Sequence, residues 1–468
     1  MTGAQPALRA VVIGSGSAGL TVAIGLAGLG HRVAVVERGP VGGDCTNVGC
    51  IPSKTLIHLA RTGTPSPWGQ VQDRRAGLEH EESAMLEAHA SIELVRGEAR
   101  VTAPAEVSVA GPVGSVRQLR APNVVVATGS RPITIDVPGL GPERILTNES
   151  FFELDDTPEH LVVIGGGPIA VELAAAVERL GRRVTVVEAA DRILPREDPE
   201  ASAFVDSALR KRGVALHLGT TAKRFDEATR TLHLGDRAQV TAVDRVLIAI
   251  GRRPRTDGLG LDALGLGEGG APLTTDTWGR TEVKGIWAVG DVTGRTATTH
   301  GANAMARRTV RAIGLPKLPR IGRPPTIPAA TFAEPEVASV GLSRAEIERR
   351  WPPNARLRLR ADLADTDRGL TDDVTDGAVL VDVERFTGRI LRATIVGPSA
   401  AEAVGVFTLA IDQRISMHRL YRLVHPYPTF ASAIGSVADD FTRQTLPNLR
   451  AEASAWARNL ARSTRSPS

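Results

Sequence analysis

The sequence is poor in cysteine, and this scarcity limits the kinds of site that the chain can build. Cys45 and Cys50 are the only cysteines among 468 residues. A metal site of soft ligands would need further cysteines, and the sequence has none to supply them. Two interpretations of the pair remain at this point: two thiols that are buried by chance, or a redox-active pair.

Aromatic residues are scarce as well, at 3% of the sequence, so the core must consist mainly of Val, Leu, Ile and Ala. One uncharged stretch, Ala10–Gly30, superficially imitates a signal peptide or a membrane span. Its glycines and its lack of a cleavage site favour a strand, a glycine turn and a helix instead. We therefore expect no targeting segment, no membrane association and a cytoplasmic protein.

Charge of either sign is not concentrated in blocks. The formal net charge is +4, and the charged residues are spread along the chain, which argues against a nucleic-acid partner. The hydrophobic and charged fractions, 42% and 23%, are those of a soluble globular protein. At this length a single core is insufficient, so about three domains are expected.

A glycine motif follows the first predicted strand, Ala10–Ile13. Gly14, Gly16 and Gly19 open an apolar helix, and a second strand ends in Glu37. These glycines let the backbone approach a pyrophosphate at the helix N-terminus, and the carboxylate accepts hydrogen bonds from an adenosine ribose. A motif of this kind between a strand and a helix predicts a dinucleotide site.

A second motif of the same kind begins at Gly165 and Gly167, and its second strand leads to Glu188. Two such units predict two bound nucleotides, as in electron transfer from a nicotinamide to a flavin; the alternative is a duplicated fold with one inactive site. Glu188 favours NADH, because a carboxylate repels the 2′-phosphate of NADPH. Ala170 in place of a third glycine, and Arg192 nearby, point in the opposite direction.

The cysteines lie in the stretch Gly42–Lys54, which has glycines before the pair and Pro52 and Lys54 after it. A helix start over 47–54 would acidify a thiol there, so a redox-active pair is the better interpretation. Together with the first glycine motif, this stretch resembles the signature of the flavoprotein disulfide reductases, which include dihydrolipoamide dehydrogenase, glutathione reductase and the mercuric reductases. The resemblance extends over residues 8 to 442.

The resemblance implies an α/β fold with two Rossmann-like dinucleotide-binding domains, for FAD and NAD, and a C-terminal α+β dimerisation domain. It implies that Cys50 is the thiolate next to the flavin and Cys45 the thiol that exchanges with substrate. Lys54 would lie near the flavin and pair with Glu172. The cofactor-binding residues that it implies are Gly14, Gly16, Gly19, Glu37, Gly43, Thr128, Gly129, Gly165, Gly167, Glu188, Gly251 and Asp291.

The C-terminal loop departs from the family pattern. Disulfide-reducing members carry a histidine and a glutamate there, which shuttle a proton to the leaving thiol. Tyr427 stands in the place of that histidine, Ser432 in the place of the glutamate, and His425 lies two residues early. Mercuric reductases also have a tyrosine here, but they add a C-terminal cysteine pair that this sequence lacks. Lipoamide, glutathione and mercury are therefore all in doubt as substrates.

The segment between Lys54 and Gly97 is shorter than is usual in the family. Either this reshapes the approach to the disulfide, or the family tolerates variation in length there. By resemblance the C-terminal domain forms a homodimer whose partner loop completes each active site. Its strands near 379–383 and 389–396 should form a sheet with one buried face.

The predicted domains follow from the order of these motifs. Their boundaries are 1–150 (FAD, first part), 151–272 (NAD), 273–325 (FAD, second part), 326–445 (interface) and 446–468 (an amphipathic C-terminal tail).

The sequence thus predicts an FAD- and NAD(P)H-dependent oxidoreductase, closest to the mercuric-reductase-like branch. Its disulfide would pass electrons to a non-standard thiol or disulfide, a sulfur compound or a metal ion. One alternative is a diaphorase that passes electrons from FAD directly to a quinone, and another is dihydrolipoamide dehydrogenase-like activity. A binding subunit with little turnover is a third possibility, and two complete nucleotide motifs argue against it.

Overall fold

A computed structural model describes residues 7–111, 114–235 and 238–445. The predicted tail, 446–468, lies outside the described residues. The strands are β1 (Ala10–Ile13), β2 (Val33–Glu37), β3 (Ile92–Arg96), β4 (Glu98–Ala103), β5 (Glu106–Ala110), β6 (Val116–Arg120), β7 (Val124–Val126), β8 (Ser130–Pro132), β9 (Ile145–Leu146), β10 (His160–Ile164), β11 (Arg183–Glu188), β12 (Ala215–Leu218), β13 (Ala222–Asp226), β14 (Thr231–Leu234), β15 (Ala238–Val240), β16 (Arg245–Ile248), β17 (Arg252–Pro254), β18 (Ile286–Ala288), β19 (Ala329–Thr331), β20 (Val337–Gly341), β21 (Arg356–Asp362), β22 (Ala378–Glu384) and β23 (Ile390–Val396).

The α-helices alternate with these strands through much of the chain. They are α1 (Ser17–Gly28), α2 (Gly43–Asn47), α3 (Cys50–Arg61), α4 (Trp68–Ala88), α5 (Asn148–Phe151), α6 (Pro168–Arg179), α7 (Pro199–Lys211), α8 (Thr299–Gly314), α9 (Arg344–Arg350), α10 (Asp367–Thr371), α11 (Ala400–Asp412), α12 (Met417–Leu420) and α13 (Ser432–Thr445).

Contacts among the described residues divide the chain into two compact units. The first unit is drawn from Met1–Gly165, Ala176–Val187 and Thr220–Pro324. The second unit is drawn from Gly166–Ala175, Glu188–Gly219 and the described residues from Pro325 onward.

A parallel sheet of order β18-β7-β1-β2-β3 carries the first predicted nucleotide motif. Its central strand, β1, pairs in register with β2 and β7, so that Ile13 lies beside Val36 and Val126. All four residues of β1 are buried, as is typical of a parallel strand covered on both faces. Because the carboxyl ends of parallel strands meet at one sheet edge, the turn after β1 and Glu37 at the end of β2 are neighbours.

The second motif stands on a parallel arrangement of the same kind, in which β10 lies between β11 and β16, and β9 follows β16. Antiparallel sheets, β4-β5-β6 and β13-β14-β15, complete the first unit together with the pair of β8 and β17. Buried Val, Leu, Ile and Ala dominate its core clusters, as the scarcity of aromatics predicts. The two Rossmann-like arrangements confirm the predicted α/β fold class.

The second unit is built on an antiparallel sheet of order β19-β20-β23-β22-β21. Helices α11 and α13 pack on one face, where Phe407 and Phe441 are fully buried. The expectation of a single buried face is wrong, because every residue of β23 is buried. On the other face Arg392 is 8% exposed and pairs with Glu197 at 3.1 Å. A buried guanidinium requires such a partner, so this face is a polar interior layer.

Candidate functional site

The two glycine turns have the same construction. Gly14 has φ +100°, and a Cβ there would lie 2.5 Å from the carbonyl oxygen of Ala127. Gly165 has φ +116°, and a Cβ there would lie 2.5 Å from the carbonyl oxygen of Ala249. Each turn therefore needs glycine for two reasons, its left-handed backbone and its contact with the neighbouring strand end. This close approach brings the N-terminus of the following helix to the sheet edge, where a pyrophosphate binds.

Glu37 ties the first turn to the end of β2. Its Oε2 accepts hydrogen bonds from the backbone N–H of Ser15 at 2.7 Å and from the Ser15 hydroxyl at 2.8 Å. Its Oε1 accepts from the N–H of Gly39 at 2.8 Å. A carboxylate offers about four lone-pair positions, so an adenosine ribose can donate to the same group.

Glu188 makes the same connection in the second unit. Its Oε2 accepts from the N–H of Gly166, and its Oε1 accepts from the N–H of Ala190 at 2.7 Å. The nearby Arg192 is engaged locally: its Nη1 lies 3.2 Å from Asp191 and its Nη2 donates to the carbonyl of Pro195 at 3.0 Å. The Glu188 carboxylate, and not the Arg192 guanidinium, therefore occupies the end of β11.

The first glycine turn lies directly against the cysteine stretch. A bridge joins Gly16 to Gly42, and a Cβ on Gly43 would lie 2.7 Å from the Cα of Gly16. Two other predicted cofactor residues lie after β7. The Thr128 hydroxyl donates to the carbonyl of Arg255 at 2.7 Å, while Gly129, at φ +70°, has open space where a Cβ would stand.

The remaining predicted cofactor positions keep the places that the motifs give them. Gly19 lies in the first turn of α1, Gly251 follows β16, Gly167 precedes α6, and Ala170, at the position of the third glycine, is fully buried in α6.

Asp291 fits the predicted contact with a polyhydroxyl chain. Its carboxylate accepts a hydrogen bond from the Ser130 hydroxyl at 2.8 Å, and burial raises its pKa above the ordinary value. In the described part of the chain this is its one hydrogen bond, so it has acceptor capacity for ligand hydroxyls. Together with the glycine turn and Glu37, the residues present fit FAD.

A polar network that the sequence analysis did not predict lies beneath the cysteine stretch. Arg252 Nη2 donates to the carboxylate of Asp44, the residue before Cys45. The same guanidinium donates from Nε to the Ser130 hydroxyl at 2.8 Å and from Nη1 to Asn148 Oδ1 at 2.9 Å. Asp44 belongs to the cysteine stretch and Arg252 directly follows Gly251, but nothing local in the sequence connects two residues so far apart.

Cys45 lies in the short helix α2, and Cys50 is the first residue of α3. Both are free thiols, and they hydrogen-bond to each other. That hydrogen bond, with burial and the negative charge of Cys50, raises the pKa of Cys45. The Thr299 hydroxyl, at the start of α8, lies 3.4 Å from Cys50 Sγ. Because α3 begins at Cys50 and the Thr299 hydroxyl lies beside its sulfur, a thiolate at Cys50 would be stabilised by the helix N-terminus and by a hydrogen bond.

A cavity of about 640 Å³ in the first unit reaches Cys45 of this pair. Sequence reasoning missed most of its polar wall, which comes from helices separated along the chain. Its lining includes Cys45, Thr46, Glu82, Thr299, Asn303 and Arg307. The shortened segment after Lys54 still forms a helical pair, α3 and α4, and α4 supplies Glu82.

Lys54 and Glu172 lie in different units. Glu172 is 5% exposed, and its Oε1 accepts from the backbone N–H of Phe332 at 2.8 Å within the second unit. The predicted ion pair would join the two units and stays a prediction.

The C-terminal loop does not contain a proton-transfer dyad among its described residues. His425 Nε2 is buried and has no hydrogen-bond partner within the described part of the chain, and burial lowers the pKa of this histidine. Tyr427 is 77% exposed, and its hydrogen bond with Asp367 raises its pKa. The Ser432 hydroxyl donates to the carbonyl of Thr429 at 2.6 Å. Tyrosine and serine therefore do not reproduce the histidine–glutamate arrangement.

No group of three or more His, Cys, Asp or Glu side chains could hold a metal ion within 7–111, 114–235 and 238–445. Over the same ranges, no helix combines the length and hydropathy required to cross a membrane.

Comparisons with known proteins agree with this geometry. The profile described as "Pyridine nucleotide-disulphide oxidoreductase" matches residues 8–306, and the profile of that family's dimerisation domain matches residues 327–438. Dihydrolipoyl dehydrogenase of Chlorobaculum tepidum is 33% identical over 457 residues, covering 92% of this chain and 96% of that protein. Mercuric reductase of Streptomyces lividans is 33% identical over 468 residues, covering 92% and 95%.

Solved structures also resemble this chain over most of its length. The HOCl-induced flavoprotein disulfide reductase RclA from Escherichia coli superposes with a TM-score of 0.82 at 27% identity, over 92% of this chain and 99% of that one. LpdA from Mycobacterium tuberculosis superposes with a TM-score of 0.83 at 27% identity, over the same shares of the two chains.

Proposed function

This chain belongs to the pyridine nucleotide-disulphide oxidoreductase family, whose members bind FAD and NAD(P), and we propose that it passes electrons from NADH through FAD to a Cys45–Cys50 disulfide and on to a small-molecule acceptor. The observation that carries the proposal is the hydrogen-bonded thiol pair, of which Cys45 lines a 640 Å³ cavity. The acceptor is a disulfide or another oxidised sulfur compound outside the standard set, or a metal ion.

The residues of the first motif would hold FAD, with the glycine turn at the pyrophosphate, Glu37 at the adenosine ribose and Asp291 at the ribityl hydroxyls. When bound, FAD and the nicotinamide supply the two electrons that open the disulfide. The chain's own part is thiol chemistry. Cys50 holds the negative charge beside Thr299, and Cys45 attacks the acceptor from the cavity wall.

NADH is proposed over NADPH because Glu188 occupies the end of β11. Its carboxylate accepts from Gly166 and Ala190 N–H groups, which fixes it where a ribose 2′-hydroxyl would donate and a 2′-phosphate would be repelled. Arg192 is committed to Asp191 and Pro195, which supports the same preference.

The proposed acceptor differs from those named for the relatives because the usual proton shuttle is absent from the described part of the loop. A phenol titrates near 10, so Tyr427 can donate a proton at neutral pH but is a poor general base. His425 is also unsuited to act as the general base, since its Nε2 is buried. Two cysteines in the whole sequence leave no C-terminal pair of the mercuric type.

We also propose a cytoplasmic homodimer. The dimerisation domain over residues 327–438 supports the dimer, in which the partner's Tyr427 loop would complete each site. An exposed apolar group on α11 and in the loop after α12 is consistent with such an interface; it consists of Leu409, Tyr421, Leu423, Val424 and Tyr427.

Anaerobic titration of the purified protein with NADH tests the proposal. A long-wavelength absorbance band from the Cys50 thiolate beside oxidised flavin is expected if the disulfide lies in the electron path. Cys45→Ser should abolish turnover with a sulfur acceptor, and unchanged activity would contradict the relay. Bleaching of the flavin without the band would instead favour the diaphorase alternative, and quinones would be the next acceptors to test.

A further inference from the structure

Glu82 occupies the wall of the thiol cavity, together with Cys45 and Thr46. It lies on α4, in the shortened segment that separates this chain from the usual family length. Its Oε2 accepts a hydrogen bond from the Thr46 hydroxyl at 3.0 Å, which holds the carboxyl group beside the residue that follows Cys45. A carboxyl group and the Cys45 thiol therefore line the same cavity within one chain.

The backbone near the thiols has the shape required to admit this carboxyl group. Gly42 has φ +91°, and a Cβ there would collide with Glu82 Oε2 and with the Thr46 hydroxyl. Glycine at 42 is favoured by its left-handed backbone. It also leaves the space that the Glu82 carboxyl group and the Thr46 hydroxyl occupy beside the cysteine stretch.

The groups around Glu82 hold its pKa above the ordinary value. Burial raises the pKa, the Thr46 hydrogen bond opposes this, and the Glu79 charge on the same helix adds to the increase. From α2 the Cys45 thiol lines the same cavity, and from α8 so does the exposed Arg307. From β3, Arg96 donates to the hydroxyl of Ser83 at 3.4 Å.

We propose that Glu82 is the acid–base group of the oxidative half-reaction, replacing in cis the histidine–glutamate dyad that the C-terminal loop lacks. This rests on the proposed thiol relay. The carboxylate takes the proton of Cys45, and the Cys45 thiolate attacks one sulfur of an acceptor R–S–S–R. The acceptor's S–S bond breaks, a mixed disulfide forms, and the leaving RS⁻ takes the proton from Glu82. The Cys50 thiolate then attacks the Cys45 sulfur, which closes the Cys45–Cys50 disulfide and releases the second RS⁻.

The proposal supplies the acid–base group that the described part of the C-terminal loop lacks. The Cys45 pKa is raised, so the thiol needs a base before it can attack. Tyr427 and Ser432 do not form a dyad, because the Ser432 hydroxyl is already committed to the carbonyl of Thr429. Glu82 is the carboxyl group that shares the cavity wall with Cys45 among the residues lining it.

The test compares Glu82→Gln with the matched control Glu79→Gln in the holoenzyme. The glutamine side chain of the first variant keeps a carbonyl oxygen for Thr46 but cannot carry the proton. Glu79 lies one turn earlier on α4, where it accepts from the N–H of Val41 at 3.1 Å outside the cavity lining. Each variant is reduced with one equivalent of NADH, and the decay of the thiolate–flavin absorbance is followed after mixing with a disulfide probe.

Two probes separate proton transfer from simple displacement of the thiol. Cystamine releases an alkyl thiolate that must be protonated, whereas 5,5′-dithiobis(2-nitrobenzoate) releases an aryl thiolate of low pKa that leaves readily without a proton. We expect Glu82→Gln to slow reoxidation by cystamine by about 10²–10⁴-fold, and reoxidation by the aryl disulfide by clearly less. Glu79→Gln should resemble the wild type with both probes at neutral pH and should only move the acidic limb to lower pH, because it removes a charge that raises the pKa of Glu82.

The pH dependence gives a second readout. The wild-type rate with cystamine should fall as pH drops through the raised pKa of Glu82, because a protonated carboxyl group cannot deprotonate Cys45. Glu82→Gln should lose this acidic limb. Reoxidation of Glu82→Gln by cystamine at the wild-type rate, or an unchanged acidic limb, would overturn the proposal. Failure of the wild type to form the thiolate band would instead overturn the proposed thiol relay, independently of Glu82.

Discussion

Arg252 donates a hydrogen bond to Asp44, the residue immediately before Cys45. The same guanidinium holds Ser130 at 2.8 Å and Asn148 at 2.9 Å, so one side chain links the thiol-bearing helix α2 to β8 and to the start of α5. Ser130 in turn donates to Asp291. The position of the thiol and the position of the predicted ribityl-binding carboxylate thus depend on the same planar group.

Replacing the Arg252 guanidinium should disturb electron transfer through the thiols more than it disturbs nicotinamide binding. A lysine side chain at this position keeps the charge but lacks the fork geometry that serves three partners at once. We expect Arg252→Lys to lower kcat with a disulfide acceptor by about 10–100-fold through misplacement of Cys45, with the KM for NADH little changed. Arg253→Lys is the matched control, since Arg253 is exposed. A rise in the KM for NADH without a loss of kcat would show that Arg252 does not position the thiol.

The nucleotide motifs could be predicted from sequence because their signals are local. The turns at Gly14 and Gly165 each lie between a strand and a helix in one short segment, and the chain order sets their geometry. Thr299 and Glu82 reach the thiols through tertiary packing of α8 and α4, which no local pattern encodes. The second buried face of the antiparallel sheet was missed for the same reason, since a buried Arg392 depends on Glu197 from a distant loop.

The equivalence of Glu37 and Glu188 makes each one a control for the other. Removal of the carboxylate at 188 removes the repulsion of a 2′-phosphate, so Glu188→Ser should raise the ratio of kcat/KM for NADPH over NADH by about 10–100-fold. Glu37→Ser removes the same kind of contact in the first unit and should lower the FAD content without changing that ratio. An unchanged coenzyme ratio in Glu188→Ser would exclude the carboxylate as the determinant of coenzyme choice.

The Thr299 hydroxyl should tune the charge on Cys50. It lies 3.4 Å from the sulfur, and a hydrogen bond to the thiolate favours the charged form. Thr299→Val removes the donor, so the pKa of the Cys50 thiol should rise and the thiolate–flavin absorbance of the reduced enzyme should appear only at higher pH. Thr299→Ser, which retains the hydroxyl, should titrate like the wild type. Identical titrations of all three proteins would assign the charge to the helix N-terminus alone.

Asp198 in the second unit should make stability depend on pH. Its side chain is 2% exposed; burial raises its pKa, but the hydrogen bond and charge of Arg358, at 2.9 Å, outweigh this and hold the pKa below 3.8. A pKa depressed in the folded state stabilises the protein above the unfolded value, and the contribution is lost as pH falls through the folded one. Asp198→Asn should therefore lower the free energy of unfolding by about 3 kcal/mol at neutral pH, and by less in acid.

An exposed ion pair in the same unit serves as a control, because it separates the effect of burial on stability from the effect of charge alone. Arg344 and Glu348 lie 3.2 Å apart, and both are 49% exposed, so solvent screens their attraction. Glu348→Gln should lower the unfolding free energy by less than about 1 kcal/mol at neutral pH. Urea unfolding of the wild type and both variants, repeated across the acid range, compares the two sites. If Asp198→Asn cost no more than Glu348→Gln at neutral pH, the polar layer behind the sheet would not stabilise this unit, and hydrophobic packing against α11 and α13 would have to account for its stability.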